Sequence, residues 1–271
     1  TWEIPRVSTS DLTTWQAVAA LEGNFEFGGR DFDWEAGYQY NRSELTQRAT
    51  GNLHKQRVAD ATGPSFYNPA TGKVECGTPD APIAGCKPWN PLVPYGQDDP
   101  YGLTGNTELQ DWLFPEELTR GRTTTRNLFA NLSGSLASLP AGELGFAVGA
   151  ESRREDGRFI PDALAQTGAT TNLAAGPTGG GYRVDEAYLE LSVPVLRDLA
   201  GARELTLSAA TRYSDYSTFG GTLNSKFGFT WKPIDQLLVR GTWAQGFRAP
   251  TIANLYGGGS ETFTTGFRDP C

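Results

Sequence analysis

The sequence predicts an all-β chain, an antiparallel transmembrane β-barrel to which it contributes about eight strands, and three observations lead there. Apolar and polar side chains alternate with a period of two in segment after segment. Most of these segments run to about ten residues or more, which is long for a strand of a soluble sheet. The connections between them alternate between short and long.

Composition narrows the class. The chain has 271 residues, 38% hydrophobic and 20% charged, enough for one large domain or two small ones. No run of about eighteen apolar residues is present and the mean hydropathy is −0.42, so no helix of this sequence spans a membrane. A barrel strand is not excluded by that test, because alternation dilutes its apolar half. The 33 glycines and the aromatic content of 11% suit strands joined by frequent turns. A net charge of −8, with no segment rich in Lys and Arg, excludes nucleic acid as a partner.

The elements follow in order. Trp15, Ala17, Ala19 and Leu21 share one face, opposite Gln16, Ala20 and Glu22. Phe32, Trp34, Ala36, Tyr38 and Tyr40 oppose Asp33, Glu35, Gly37, Gln39 and Asn41. Leu128, Ala130, Leu132, Gly134 and Leu136 alternate with polar neighbours, and Leu144, Phe146, Val148 and Ala150 follow after Pro140-Ala141-Gly142, which makes a hairpin. Ala187, Leu189, Leu191 and Val193 form the fifth run, and Leu205 to Tyr213 the sixth. Phe227, Phe229 and Trp231 mark the seventh; Leu237, Val239 and Trp243 mark the eighth, whose phase breaks at Gln245.

A soluble β-sandwich shows the same alternation, with core on one face and water on the other. Length separates the two, because a strand of about eleven residues at roughly 3.3 Å each, tilted near 45°, covers about 25 Å, the height of the apolar band of an outer-membrane barrel. Such barrels have short periplasmic turns and longer external loops. Asn24 to Arg30, Leu139 to Gly142, Leu196 to Ala202 and Pro233 to Gln236 are short, whereas Thr46 to Arg122 and Ile160 to Gly181 are long. Only Ser217 to Gly221 is short on the long-loop side. The whole of 1–271 is therefore expected to be part of one barrel domain, with 46–122 as a long external loop.

Cys76 and Cys86, ten apart in a Gly/Pro-rich segment, read as a local disulfide and hence an oxidising compartment. Cys271 is left over. With no methionine and no signal peptide at Thr1, the expectation is a piece of a longer protein.

No catalytic constellation is visible, and the chain is expected not to be an enzyme and to need no cofactor or metal. His54 is the only histidine and is read as an ordinary loop residue. Gly179-Gly180-Gly181 and Gly257-Gly258-Gly259 lack the Lys-Ser/Thr of a phosphate loop and are read as flexible loop segments. Asp98-Asp99 lacks calcium-loop spacing and is read as a solvated turn. Trp89, Tyr95, Tyr101 and Trp112 in the long loop are candidates to stack on a ligand's flat face, or else to pack within the loop. Glu35, Gln39, Asn41, Glu190, Arg212 and Arg240 are predicted to face the barrel lumen.

The stretch RYSDYS from Arg212, with Lys226-Phe227-Gly228, Trp231-Lys232-Pro233, Arg240-Gly241 and Gly246-Phe247-Arg248-Ala249-Pro250, resembles the TonB-dependent receptor family. The resemblance is strong from Tyr182 to Tyr256 and looser upstream of Arg122; the loop CGTPDAPIAGCKPWNP and the closing FRDPC resemble family members with cysteine-bearing loops. It implies a bacterial outer-membrane barrel of twenty-two strands around an N-terminal plug, with a small nutrient bound at external loops and plug apices. A ferric chelate, cobalamin, a saccharide or a peptide would be drawn in when a TonB-type energy-coupling protein pulls on the plug. Plug and TonB box would lie outside this chain, and the lumen-facing residues would meet water or the plug. Within the family motif Phe247, Arg248, Ala249 and Pro250, Arg248 is expected to tie the strand end to neighbouring loops. A passive outer-membrane channel and a soluble β-sandwich binding domain are the alternatives, and closure of an eight-stranded barrel within the chain is disfavoured because side chains would fill its interior.

Overall fold

The computed structural model describes residues 4–262, so Cys271 lies outside the described residues. In chain order the elements are β1 (Val7–Phe27), β2 (Arg30–Thr50), α1 (Lys55–Ala61), β3 (Ser65–Asn68), β4 (Lys73–Thr78), β5 (Ala81–Pro82), α2 (Thr107–Leu113), β6 (Glu117–Leu139) and β7 (Gly142–Ile160). They continue with α3 (Ala163–Thr167), β8 (Thr178–Leu199), β9 (Ala202–Tyr216), β10 (Gly220–Ile234), β11 (Leu237–Ala244) and α4 (Ile252–Tyr256). The eight long strands form one antiparallel sheet in the order β1-β2-β6-β7-β8-β9-β10-β11. Each long strand thus pairs with the next in sequence, and β1 and β11 are paired on one side only.

Turn chemistry fixes the register at one end. Gly28 and Gly29 both have positive φ, +62° and +71°, which the tight β1–β2 hairpin requires and a side chain would strain. From that turn the ladder runs unbroken from Phe27 opposite Arg30 to Val7 opposite Thr50.

Because directly opposed residues in an antiparallel ladder share a face, the register sorts the sheet into two. On one face lie Leu21 and Phe25 of β1, Phe32, Trp34 and Ala36 of β2, and Leu128, Ala130 and Leu132 of β6. Val148 and Ala150 of β7, Leu189 and Leu191 of β8, Leu207 and Ala209 of β9, and Phe227 and Phe229 of β10 continue it. Among the described residues no second sheet covers this face; Leu21 is 72% exposed, Leu128 60% and Phe227 53%. The soluble-sandwich alternative is thereby overturned, since it needs those side chains buried between two sheets.

The strands are longer than the alternation indicated. β1 and β2 are 21 residues each and β6 is 23. The excess lies where apolar side chains give way to charged ones, as at Arg42 and Glu44 of β2 and Arg122 to Arg126 of β6. There the apolar face turns charged while Leu12, Leu45 and Phe159 share a row on the opposite face, so the phase of the alternation is lost while the backbone ladder continues.

The two long connections, 51–116 and 161–177, pack together beyond that polar extension. Ala61, Leu103, Leu109, Leu113 and Phe114 make a small core, packed by Leu53, Val58, Trp89 and Trp112. Glu117, buried at the start of β6, accepts hydrogen bonds from Thr170 Oγ1 (2.5 Å) and Asn172 Nδ2 (2.6 Å). Main-chain bonds from Lys55 N to Ala169 O (2.8 Å) and Thr171 N to Leu53 O (2.8 Å) complete the joint. The three-stranded sheet β3-β4-β5 lies in the first connection, where Cys76 and Cys86 are disulfide-bonded.

Closing a ten-residue separation in the unfolded chain accounts for about 2–3 kcal/mol of cap stability. The double variant Cys76→Ser/Cys86→Ser is expected to exchange amide hydrogens faster in 65–86 while the long strands keep their protection, as read by hydrogen-exchange mass spectrometry.

Candidate functional site: the polar face and its cover

The second face of the sheet carries the polar half of each strand, and all six residues predicted to face the lumen lie on it. Glu35 opposes Asn131, Gln39 opposes Asn127 and Asn41 opposes Thr125. Asn131 is opposite Gly149, Gly149 opposite Tyr188 and Tyr188 opposite Arg212, so one lateral row crosses β2, β6, β7, β8 and β9. Glu190 opposes Ala210, Ala210 opposes Lys226, and Arg240 reaches the same face opposite Thr230.

The row is tied together by side chains. Tyr188 Oη donates to Asn131 Oδ1 (2.8 Å), Asn131 Nδ2 donates to Glu35 Oε2 (3.4 Å), and the Arg212 guanidinium lies 5.4 Å from the Tyr188 ring centroid. Gly149 makes this possible: a Cβ there would sit 2.4 Å from Tyr188 Cε1 and 2.5 Å from Asn131 Oδ1. One row further on, Glu186 is buried and accepts from Ser214 Oγ (2.5 Å), with Arg153 at 3.6 Å and Arg212 at 3.5 Å. Arg153 also pairs with Glu151 (2.9 Å) and Glu155 (3.0 Å). Four carboxylates (Glu35, Glu151, Glu155, Glu186) face two guanidiniums (Arg153, Arg212), which leaves the patch acidic by two charges. The set forms a polar wall that can hydrogen-bond a solute or a protein surface.

Glu35 and Arg212 enter the network. Gln39 and Asn41 are half-buried, and Glu190 and Arg240 are exposed. Asn131, Arg153, Glu186 and Ser214 were not singled out from the sequence. The alternating charges of Glu151, Arg153 and Glu155 on one strand face were the available signal.

After β11 the chain turns back across the polar face. Ala249, Ile252 and Leu255 cover the buried Tyr182, Val184 and Tyr216, while the Phe247 ring lies tilted, 5.9 Å from Tyr216 and 6.0 Å from Phe219. α4 starts with a capping box between Thr251 and Asn254. Gly179-Gly180-Gly181, expected to be flexible loop, is the start of strand β8 instead. Its bare backbone seats Tyr256, whose Oη donates to Gly181 O (2.8 Å); a Cβ on Gly180 would stand 2.4 Å from the Tyr256 ring. Gly258 N in turn donates to Thr178 Oγ1 (3.4 Å), and Gly176 N to Gly259 O (2.7 Å), so the second glycine run is tied to the 161–177 connection. Arg248 is exposed and donates no hydrogen bond to a described residue; the hydrophobic neighbours Phe247 and Ala249 hold this segment down, and Pro250 is half-buried beside them.

In the cap, Trp89 and Trp112 pack on the small core, and the Arg57 guanidinium lies 5.8 Å from the Trp112 ring. Tyr101 Oη accepts from Val74 N (3.2 Å), and Tyr95 is 49% exposed. Asp99 Oδ1 accepts from Tyr101 N (2.8 Å), which organises the turn at Asp98-Asp99. No group of three or more metal-ligating side chains is found among the described residues. His54 begins α1: its Nδ1 accepts from Arg57 N (3.3 Å), and its backbone joins Leu113 O and Thr170 across the two connections.

One uncovered apolar face, one networked polar face and long connections gathered at one end are the geometry of a membrane barrel wall. The family described as TonB dependent receptor-like, beta-barrel, matches residues 8–270. This chain belongs to that family. TonB-dependent receptors form an outer-membrane family of nutrient receptors and transporters of Gram-negative bacteria. No curated protein and no solved structure matches the chain significantly.

Two outcomes follow for this receptor's cap and cover. Burial first, then the neighbouring Arg57 charge, hold the His54 imidazole below its ordinary range. The sign is therefore that His54 adds stability above pH 6.5, the value in the unfolded chain, which is lost as pH falls below it. Amide exchange in 54–62, corrected for its intrinsic pH dependence, should rise from pH 7.5 to 5, and His54→Asn, which caps without titrating, should flatten the change. Gly180→Val should expel Tyr256 from its seat, and limited proteolysis should then cut within 250–262 at least about tenfold faster, a loss of roughly 1.4 kcal/mol of protection.

Proposed function

We propose that this chain is part of the barrel wall of a TonB-energised importer for a scarce small nutrient, its polar face lining the path and its disulfide-bearing cap contributing to the external mouth. The activity is transport without chemical conversion. The observation that carries the reading is the division of a single open sheet into an uncovered apolar face and a polar face networked across five strands. A passive pore shares both features. The turn-back of 245–262 over the polar face narrows the external half of the path, which suits a gated receptor better than an open channel.

The reading assigns the remaining strands and a plug to other parts of the receptor, with the open edges of β1 and β11 as their docking lines. The nutrient is left as a class: ferric chelate, cobalamin, saccharide or peptide. An acidic wall and half-exposed aromatic groups in the cap serve several of these.

The decisive experiment is uptake of radiolabelled candidate nutrients by cells expressing the full-length receptor, with and without a protonophore. Accumulation above the external concentration that collapses with the proton-motive force supports the importer; uptake that survives the protonophore identifies a passive pore. Leu189→Arg, in the middle of the apolar face, is expected to cost about 2–4 kcal/mol of folding stability in lipid. Urea titration in phosphatidylcholine vesicles checks it, against Ala147→Ser on the polar face as the near-neutral comparison.

A further inference from the structure

Beyond Leu128 and Ala150, which end the continuous apolar band on β6 and β7, the apolar face changes character abruptly. Arg126 lies directly opposite Arg154, and Arg154 directly opposite Arg183, so three guanidiniums share one lateral row. Four residues further out, Arg122 lies directly opposite Arg158, and Arg120 follows on β6. Like charges placed directly across a ladder oppose pairing of the strands. The first row is relieved within the protein: Asp156 lies 3.1 Å from Arg154 and 3.6 Å from Arg126, and Asp185 lies 2.9 Å from Arg183. The second is not. Arg120, Arg122 and Arg158 are exposed, and none has an ion pair among the described residues.

Between these rows is a concavity of about 520 Å³, lined by Arg122, Thr124, Arg126, Arg154, Asp156 and Arg158. Four guanidiniums there face one carboxylate, in a chain whose net charge is −8. The β8 positions opposite Asp156 and Arg158 are Gly181 and Gly179, so no side chain from the neighbouring strand closes the hollow.

We propose that this concavity binds the phosphate groups of an anionic lipid headgroup in the outer leaflet, with Arg122 and Arg158 as the principal anion contacts and Arg126 and Arg154 at its membrane side. Guanidinium forks match phosphate oxygens two at a time, and a basic pocket at the edge of an apolar band sits at headgroup level. The position selects a lipid over a free anion: tails lying on Leu128, Ala130 and Ala150 would deliver a tethered phosphate to this hollow. The inference rests on the membrane reading of the apolar face.

The test uses the full-length receptor in detergent micelles, with diphosphoryl lipid A, the same lipid dephosphorylated, and inorganic phosphate as probes, and native mass spectrometry as the readout. Retention of the phosphorylated lipid over the dephosphorylated one is expected to be about tenfold, reduced to near parity by Arg122→Glu/Arg158→Glu and kept by Arg203→Glu, which lies at the periplasmic end of the same face. Millimolar inorganic phosphate should not displace the lipid. Equal retention of the two lipids, a preference untouched by the double substitution, or full displacement by inorganic phosphate would each overturn the site. If the double variant does not fold, Arg122→Gln/Arg158→Gln replaces it, and the lipid preference of the unaltered receptor still decides. Quenching of tryptophan fluorescence by acyl-brominated lipids reads the apolar face separately. Quenching without a phosphate preference removes the lipid site alone, whereas no quenching removes the membrane reading beneath it.

Discussion

Within a bilayer every backbone N–H and C=O must find a partner inside the protein, because lipid supplies none. The ladder from Val7 to Ala244 meets that demand strand against next strand, leaving only the outer edges of β1 and β11 open, and the rest of the architecture follows from it. Once the ladder is fixed, side chains fall alternately on two faces, and one face can be apolar only if the other takes all the polar groups. Glycines then appear where the polar face must admit something large: Gly149 lets Tyr188 reach Asn131, and Gly180 receives Tyr256. A continuous ladder also carries the strands past the apolar band, which gives the two long connections a rigid base on which Glu117 can clasp Thr170 and Asn172.

The same ladder explains the contrast between the faces beyond the band. On the polar face, charges of opposite sign meet across strands, as Glu186 does with Arg153 and Arg212. On the other face, arginines also oppose arginines, with Asp156 and Asp185 beside the first row and no ion pair at Arg122 or Arg158. An arrangement so unlike its neighbour points outward, to a partner that the protein itself does not supply.

Much of this was legible in the sequence, for a reason that also sets its limit. Alternation is a property of a strand between lipid and water, so the eight strands and four tight turns could be placed from runs such as Phe32 to Asn41. Where the apolar face turns charged and the apolar residues that remain change sides, as at Leu45, the period fades, which is why β2 and β6 were expected to stop short of Thr50 and Glu117. Helices α1 and α2, seven residues each, are too short to show a period, and their caps at His54 and Asn106 became meaningful only with the fold known. The six lumen-facing residues could be chosen from phase alone, but the Glu35–Asn131–Tyr188–Arg212 row needs the register of four strand pairs. The glycine triplet at 179–181 was unreadable because its purpose is a ring seventy-five residues away, that of Tyr256 bonded to Gly181.

The division of the sheet between lipid and water is tested most directly by spin labels placed singly at positions 127 to 133 of β6, with Cys271 replaced by Ser, in the full-length receptor reconstituted in vesicles. Collision with oxygen, which dissolves in lipid, should peak at 128, 130 and 132, and collision with a water-soluble nickel chelate at the positions between them. Labels at 128, 130 and 132 that meet neither reagent, or a profile without a period of two, would contradict the account.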